Sequence, residues 1–130
     1  MDRMELLSRA AEARENAYAP YSGYRVGAAL LAKDGRVFCG CNVENASFTP
    51  TCCAERVAIF KAISEGCRSF SAIAVVGGKE ELDFACTPCG VCRQVLAEFC
   101  EGELEVLGLT PGGEPRALTL EALLPHRFSL

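Results

Sequence analysis

Two short motifs combine cysteine and glutamate in an arrangement suited to metal chemistry. The first is Cys53-Ala54-Glu55, and the second is Pro88-Cys89-Gly90-Val91-Cys92. Together they offer three thiolate ligands for zinc and one carboxylate that is not needed as a ligand. A structural zinc site is closed by four protein ligands, whereas a catalytic site keeps three and leaves the fourth position to water. Because zinc lowers the pKa of that water and a nearby carboxylate can carry its protons, the motifs predict a hydrolytic zinc centre.

The spacing within each motif places the ligands where helices begin. Cys89 and Cys92 are three positions apart, so both thiols are expected on one face at the start of a helix. A helix N-terminus favours anions and lowers the pKa of a thiol. On an ideal helix, Cys53 and Glu55 would point about 200 degrees apart. We therefore expect Cys53 to lie at a helix boundary, where both side chains can face one metal.

Beyond these motifs, the chain resembles the small homotetrameric zinc-dependent cytidine deaminases almost from end to end. The resemblance implies one zinc ion per subunit. It also implies hydrolytic deamination of cytidine and 2'-deoxycytidine to uridine and 2'-deoxyuridine, with release of ammonia, in pyrimidine salvage. The segments that carry the resemblance are Ala17 to Ser22, Val26 to Leu30, Gly40 to Ala46, Cys53 to Arg56, Pro88 to Gln94 and Leu123 to Pro125.

The resemblance assigns a role to each residue of the centre. Cys53, Cys89 and Cys92 are the implied zinc ligands. Glu55 is the implied catalytic residue, which takes a proton from the zinc-bound water, protonates ring N3 and then protonates the departing amine. Arg56 is the natural donor to a ligand sulfur, and its positive charge would moderate the negative charge of three thiolates.

Five further positions are implied to bind the substrate. Asn42 and Glu44 are two positions apart, so on an extended segment both side chains face the same way, and in the family they hold the ribose 3'-hydroxyl. The backbone at Ala54 is implied to contact the amide edge of the pyrimidine, with Thr51 or Cys52 as further candidates for that contact, and Tyr24 is implied to provide an aromatic wall. Phe128 resembles the aromatic residue that reaches the base in a neighbouring subunit's site, which makes a homotetramer part of the expected function.

The chain departs from the family pattern at several positions near the predicted centre. Tyr24 stands where phenylalanine is common, and Thr87 stands where serine is usual before Pro-Cys-Gly. Cys52 adds a thiol directly beside the implied ligand Cys53.

Other readings of the same motifs remain open at this point. A related enzyme could deaminate blasticidin-like aminonucleosides or cytosine in RNA or DNA. The Asn42-Val43-Glu44-Asn45 segment favours a ribose substrate, and a net charge of -4 with a pI near 5.0 disfavours a polyanion. A zinc-stabilised interaction module would need a fourth ligand such as Cys41, Cys52 or Cys86, and it would have no use for Glu55.

Composition indicates one domain over residues 1–130 in a reducing compartment. The length suffices for a single hydrophobic core. Nine cysteines without a charged and apolar leader favour free thiols in the cytoplasm. No apolar run approaches the ~20 residues that cross a bilayer, so no membrane partner is expected.

Hydrophobic periodicity and turn residues predict an α/β fold with three layers, α/β/α, around a central mixed five-stranded sheet. Residues 71–76 form an apolar run without alternation, which is typical of a central strand covered on both faces. The predicted helices are 2–17, 54–65 and 90–99; the predicted strands are 24–32, 37–42, 71–76 and 104–109, with a last strand and a helical turn in 118–124.

Overall fold

The computed structural model describes residues 1–130 and contains four helices and five strands. The helices are α1 (Arg3–Arg14), α2 (Ala54–Ser64), α3 (Gly90–Phe99) and α4 (Leu120–Leu123). The strands are β1 (Arg25–Ala32), β2 (Val37–Cys41), β3 (Phe70–Gly78), β4 (Glu105–Leu109) and β5 (Pro115–Thr119). None of the four helices combines the length and the apolar character needed to cross a membrane.

The five strands form one sheet in the order β2-β1-β3-β4-β5. Strand β1 is antiparallel to both β2 and β3, and β4 is antiparallel to β5. Strands β3 and β4 are parallel, because α3 carries the chain back across the sheet between them. The sheet is therefore mixed, as the sequence predicts.

Helices cover both faces of the sheet, which confirms the predicted three layers. Alternate residues of β3 belong to different cores: Ile73 and Val75 pack with α2 and α3, whereas Ala72 and Ala74 pack with α1. This division follows from the two-residue period of a strand. Both faces of β3 are covered, so its sequence is apolar without alternation.

Two element boundaries differ from the prediction by three residues, each for an identifiable reason. Helix α1 ends at Arg14 rather than at residue 17, because the main chain at Tyr18 is hydrogen-bonded to the residue that follows β2. The Tyr18 N–H donates to Asn42 O at 2.9 Å. Strand β5 begins at Pro115 rather than at residue 118. Proline is tolerated there because Pro115 is the first residue of an edge strand, where an amide donor is not required.

A close approach of α2 to β2 fixes where the predicted centre lies. A Cβ atom at Gly40 would come within 2.6 Å of Ala54 O and 2.7 Å of Ala58 N. Only glycine leaves room for the helix backbone at this distance. The first turn of α2, which contains Glu55, is thereby held against the sheet.

Candidate active site

The three predicted zinc ligands meet where α2 and α3 begin. Cys53 and Cys89 are the extended residues immediately before the two helices, with ψ values of 155° and 169°. Cys92 lies in the first turn of α3 and is buried. The Sγ atoms of the three cysteines all lie within 4.8 Å of one another, and those of Cys53 and Cys89 are 3.9 Å apart. The position of Cys53 outside the helix lets it and Glu55 face the same space.

This geometry fits a zinc ion with one coordination position left open. A tetrahedral site with Zn–S bonds of about 2.3 Å holds its sulfurs about 3.8 Å apart, close to the Cys53–Cys89 separation. The cluster does not include Cys41, Cys52 or Cys86, the residues that could close the tetrahedron of a structural site. The donor set is therefore that of a catalytic zinc site.

The ionisation of the thiols also points to a cation. The hydrogen bond with Cys92, followed by the Arg56 guanidinium, lowers the pKa of Cys53 to about 5. The same contact with Cys53, together with burial, raises the pKa of Cys92 above its ordinary value. Crowded thiols cannot all become anions unless a cation compensates their charge. A divalent metal supplies that compensation, and metal binding is coupled to thiol deprotonation in this way.

Arg56 lies against the sulfur cluster, as the sequence suggests. Its Nη2 donates to Thr51 O at 3.3 Å and to Cys53 Sγ at 3.6 Å. The Nε atom is buried and has no hydrogen-bond partner. The contact with Cys53 raises the pKa of Arg56, so the guanidinium keeps a full positive charge beside the thiolate.

Glu55 is a buried acid that faces the cavity without an ionic partner. Its residue surface is only 4% exposed, and its carboxyl forms no hydrogen bond with another side chain. Burial raises the pKa of Glu55 to about 7. A carboxyl that can gain and lose a proton near neutral pH is suited to general acid and base catalysis.

A cavity of about 370 Å³ opens beside the cluster, within the range of small-molecule sites. Its walls bring together the predicted substrate residues Tyr24, Asn42, Glu44 and Ala54 with Glu55. These residues come from the segment that enters β1, the segment that follows β2 and the start of α2, which are distant in the sequence.

Asn42 and Glu44 face this cavity, and each is held by the protein itself. Asn42 is 8% exposed; its Oδ1 accepts from Val26 N at 2.8 Å, and its Nδ2 donates to Tyr24 O at 2.7 Å. The carboxylate of Glu44 accepts from Tyr21 N, Ser22 N and the Ser22 hydroxyl. The Ser22 hydroxyl lowers the pKa of Glu44, so this side chain is a fixed, ionised acceptor.

Phe128 is the one predicted substrate residue outside this cavity. Its residue surface is 67% exposed, and its carbonyl accepts a hydrogen bond from Gln94 Nε2 at 3.0 Å on α3. The family resemblance implies that Phe128 acts in a neighbouring subunit's site, and its position away from the cavity of its own chain leaves that role a prediction.

Several cavity residues were not predicted to bind substrate. They come from the loop before β1 and the segment before the second cysteine motif, and are Ser22, Ala85, Cys86 and Thr87. Thr51 and Cys52, the further candidates for the contact with the pyrimidine, also line the cavity. Position alone could have indicated Thr87, because it directly precedes Pro88. The orientation of the Ser22 side chain depends on its hydrogen bond with Glu44, and no local sequence pattern predicts that contact.

Comparison with known proteins gives concordant results. A family model described as "Cytidine and deoxycytidylate deaminase zinc-binding region" matches residues 1–107. A cytidine deaminase from Sporosarcina psychrophila is 50% identical over 129 residues, which are 99% of this chain and 93% of that protein. A cytidine deaminase from Mycobacterium tuberculosis is 42% identical over 125 residues, which are 96% of this chain and 88% of that protein.

The fold comparison agrees over the full length. The crystal structure of a cytidine deaminase from Burkholderia pseudomallei superposes with a TM-score of 0.89 at 48% identity, covering 98% of this chain and 100% of that one. The match therefore extends from the zinc-binding motifs to the whole sheet and its helices. The chain belongs to the cytidine and deoxycytidylate deaminase family, a family of zinc-dependent hydrolases.

Proposed function

We propose that this protein catalyses the zinc-dependent hydrolytic deamination of cytidine and 2'-deoxycytidine to uridine and 2'-deoxyuridine, with release of ammonia, in pyrimidine salvage. The observation that carries the proposal is the buried Glu55 carboxyl, which stands without an ionic partner between a three-sulfur cluster and the cavity. Relatives that match nearly the whole chain are named cytidine deaminases, which supports the choice of substrate.

The chain's own residues divide the chemistry between them. Cys53, Cys89 and Cys92 hold the metal, and zinc bound there supplies a nucleophile at neutral pH by lowering the pKa of water. Glu55 removes a proton from the attacking water and delivers it to ring N3 as the C4–O bond forms. Glu55 then takes the remaining proton from the new C4 hydroxyl and passes it to the amino group. The C4–N bond breaks as the C4=O bond of uridine forms, and ammonia leaves.

The cavity walls orient the nucleoside for this reaction. The ionised Glu44 accepts a hydrogen bond from the ribose 3'-hydroxyl, and Asn42, which keeps one free N–H, donates to the same group. The main chain at Ala54 meets the amide edge of the base, and the Tyr24 ring forms a side wall. A site built to bond a hydroxyl discriminates strongly against analogues that lack it.

We propose that the working assembly is a homotetramer, in which Phe128 of one subunit completes the site of a neighbouring subunit. Large apolar side chains on the surface support this proposal: Phe48 is 77% exposed and Phe128 is 67% exposed. Phe48 also has a φ of 48°, a left-handed conformation that is unfavourable for a non-glycine residue. Subunit contacts would bury these side chains and compensate such strain.

We place the protein in the cytoplasm and treat residues 1–130 as one domain. None of the nine cysteines is paired in a disulfide, and a reducing compartment keeps thiols unpaired. A single sheet contacts all the helices, so no subdivision of the chain is needed to account for its two cores.

Ammonia release from candidate substrates tests the proposal. Zinc-loaded protein would be offered cytidine, 2'-deoxycytidine, adenosine, cytosine and blasticidin S. We expect turnover of the first two, with adenosine, free cytosine and the antibiotic poor substrates. Preferential turnover of blasticidin S would overturn the nucleoside assignment, and no turnover of any of them would overturn the proposed reaction.

A further inference from the structure

The segment between β3 and α3, residues 79–89, forms one wall of the cavity without regular secondary structure. Ala85, Cys86 and Thr87 line the cavity directly. Because no strand or helix ladder fixes these residues, a small number of individual hydrogen bonds must set their position. Where those bonds originate decides how this wall is placed against the nucleoside.

Asp83 organises the turn that presents this wall. Its Oδ1 accepts from Ala85 N at 2.9 Å, and its carbonyl accepts from Cys86 N at 3.0 Å. Its own N–H donates to Gly77 O at 2.6 Å, which attaches the turn to the end of β3. The second carboxylate oxygen of Asp83 is left to bond outside the turn, and it accepts a hydrogen bond from the Tyr24 hydroxyl at 3.1 Å.

Tyr24 lines the same cavity from the segment before β1. Its N–H donates to Ser22 Oγ at 3.0 Å, and its carbonyl accepts from Asn42 Nδ2 at 2.7 Å, so its backbone is part of the ribose side of the site. Its ring packs beside Gly77, where an added Cβ would lie 3.1 Å from Tyr24 Cε1 and 2.9 Å from Cys86 Sγ. Burial, Cys86 and Asp83 raise the pKa of Tyr24, so the phenol remains a donor.

Three arginines also hold the segment, and none of them lines the cavity. Arg14 donates to the carbonyls of Gly78 and Lys79 at its start, at 2.9 and 2.7 Å. Arg116 on β5 donates to Phe84 O at 2.8 Å and to Cys86 O at 3.4 Å. Arg93 on α3 donates to Pro88 O at 2.7 Å and to Thr87 Oγ1 at 3.2 Å. The Tyr24–Asp83 hydrogen bond differs from these contacts because it joins the segment to another residue that lines the cavity.

We infer that Tyr24 and Asp83 are a positioning pair: their hydrogen bond fixes the wall formed by Ala85, Cys86 and Thr87 relative to the ribose-binding wall, and thereby sets the affinity for the nucleoside. This inference rests on the proposed function. A phenylalanine at position 24, which is common in the family, would supply the ring without the bond. The tyrosine gives this chain a link that its aromatic wall alone does not require.

Steady-state kinetics of single and double variants test the pair. Because the bond is exposed, Tyr24→Phe should raise the KM for cytidine about three- to fivefold, the low end for one hydrogen bond, with kcat within about twofold. Asp83→Ala removes both the Tyr24 bond and the Ala85 cap, so it should raise KM at least as much. Asp83→Asn keeps an acceptor for Ala85 N and can donate to the tyrosine oxygen, so it should restore KM to near wild type.

The matched controls are Tyr18→Phe, at an exposed tyrosine outside the cavity, and Asp34→Asn, at an exposed aspartate of the β1–β2 turn. Both should leave KM within about twofold. The KM of the double variant Tyr24→Phe/Asp83→Ala should be no higher than that of Asp83→Ala alone. If the two substitutions instead raise KM by the product of their separate factors, or if Tyr24→Phe leaves KM unchanged, the inference is overturned.

Two further measurements separate this inference from the proposed function. Amide hydrogen exchange at Ala85 and Cys86 should accelerate in Tyr24→Phe, and unchanged exchange would count against the pair. The affinity for uridine, measured by calorimetry, should fall by the same factor by which KM rises. If wild-type protein binds uridine but releases no ammonia from cytidine, the proposed reaction fails, whereas weaker uridine binding by Tyr24→Phe would still support the pair.

Discussion

Asn42 is expected to stabilise the fold as well as to bind substrate, and Asn42→Ala separates this account from one in which it contacts the sugar alone. The substitution removes the partner of two part-buried backbone groups, Val26 N and Tyr24 O. An unsatisfied buried polar group costs about 1–3 kcal/mol. Because water has partial access to both groups, we take about 1 kcal/mol for each, which gives a loss of about 2 kcal/mol in the free energy of unfolding.

The assay is urea unfolding of zinc-saturated protein at one fixed concentration, because bound metal and subunit contacts both add to apparent stability. Asn45→Ala is the matched control: the Asn45 side chain accepts one hydrogen bond, from Ser47 N at 3.0 Å, in an exposed loop. We expect it to cost about 0.5 kcal/mol or less. If the free energies of unfolding of the two variants differ by about 0.5 kcal/mol or less, Asn42 does not hold the ends of β1 and β2 together.

Further predictions concern the catalytic and binding residues. Glu55→Gln should lower kcat by about 10² to 10⁴ while zinc content and uridine affinity stay within about twofold, measured by ammonia release and calorimetry; normal turnover would refute its role. Arg56→Gln should have a larger effect on zinc retention against a chelator, or on activity, than on the free energy of unfolding. Unaltered zinc affinity together with full activity would contradict this. Glu44 has a lowered pKa, so it stays ionised through its usual titration range and its contribution to binding is lost only below that range. In the Glu55→Gln variant, where position 55 no longer titrates, the affinity for uridine should therefore be flat between pH 7 and 5, and a loss of affinity already at pH 5.5 would contradict this assignment. Dilution to monomers should remove activity if Phe128 completes a neighbouring site, and a fully active monomer would exclude that role.

The parts that local spacing determines could be predicted from the sequence. Three cysteines and one glutamate at these intervals are constrained by zinc geometry, and the angular separation of positions 53 and 55 already requires Cys53 to precede the helix. The apolar run of β3 likewise follows from coverage of both its faces. These inferences use only residue type and neighbours along the chain.

The parts that depend on tertiary contacts could not be predicted in this way. The backbone groups that Asn42 bonds lie 16 and 18 positions away, and the Tyr24–Asp83 hydrogen bond spans 59 positions. The end of α1 is decided by the bonding of Tyr18 to Asn42 and not by helix propensity. In each case the determining partner is distant in the sequence, so no pattern around the residue itself contains the information.

The ligands of the zinc ion decide whether Cys53, Cys89 and Cys92 form one open metal site. X-ray absorption at the zinc edge of the metal-loaded protein reports the number and type of ligands. We expect three sulfurs at about 2.3 Å and one oxygen or nitrogen at about 2.0 Å, with the sulfur count reduced in Cys89→Ser. Four sulfurs would mean a closed structural site, and fewer than three would mean that Cys53, Cys89 and Cys92 do not share one metal.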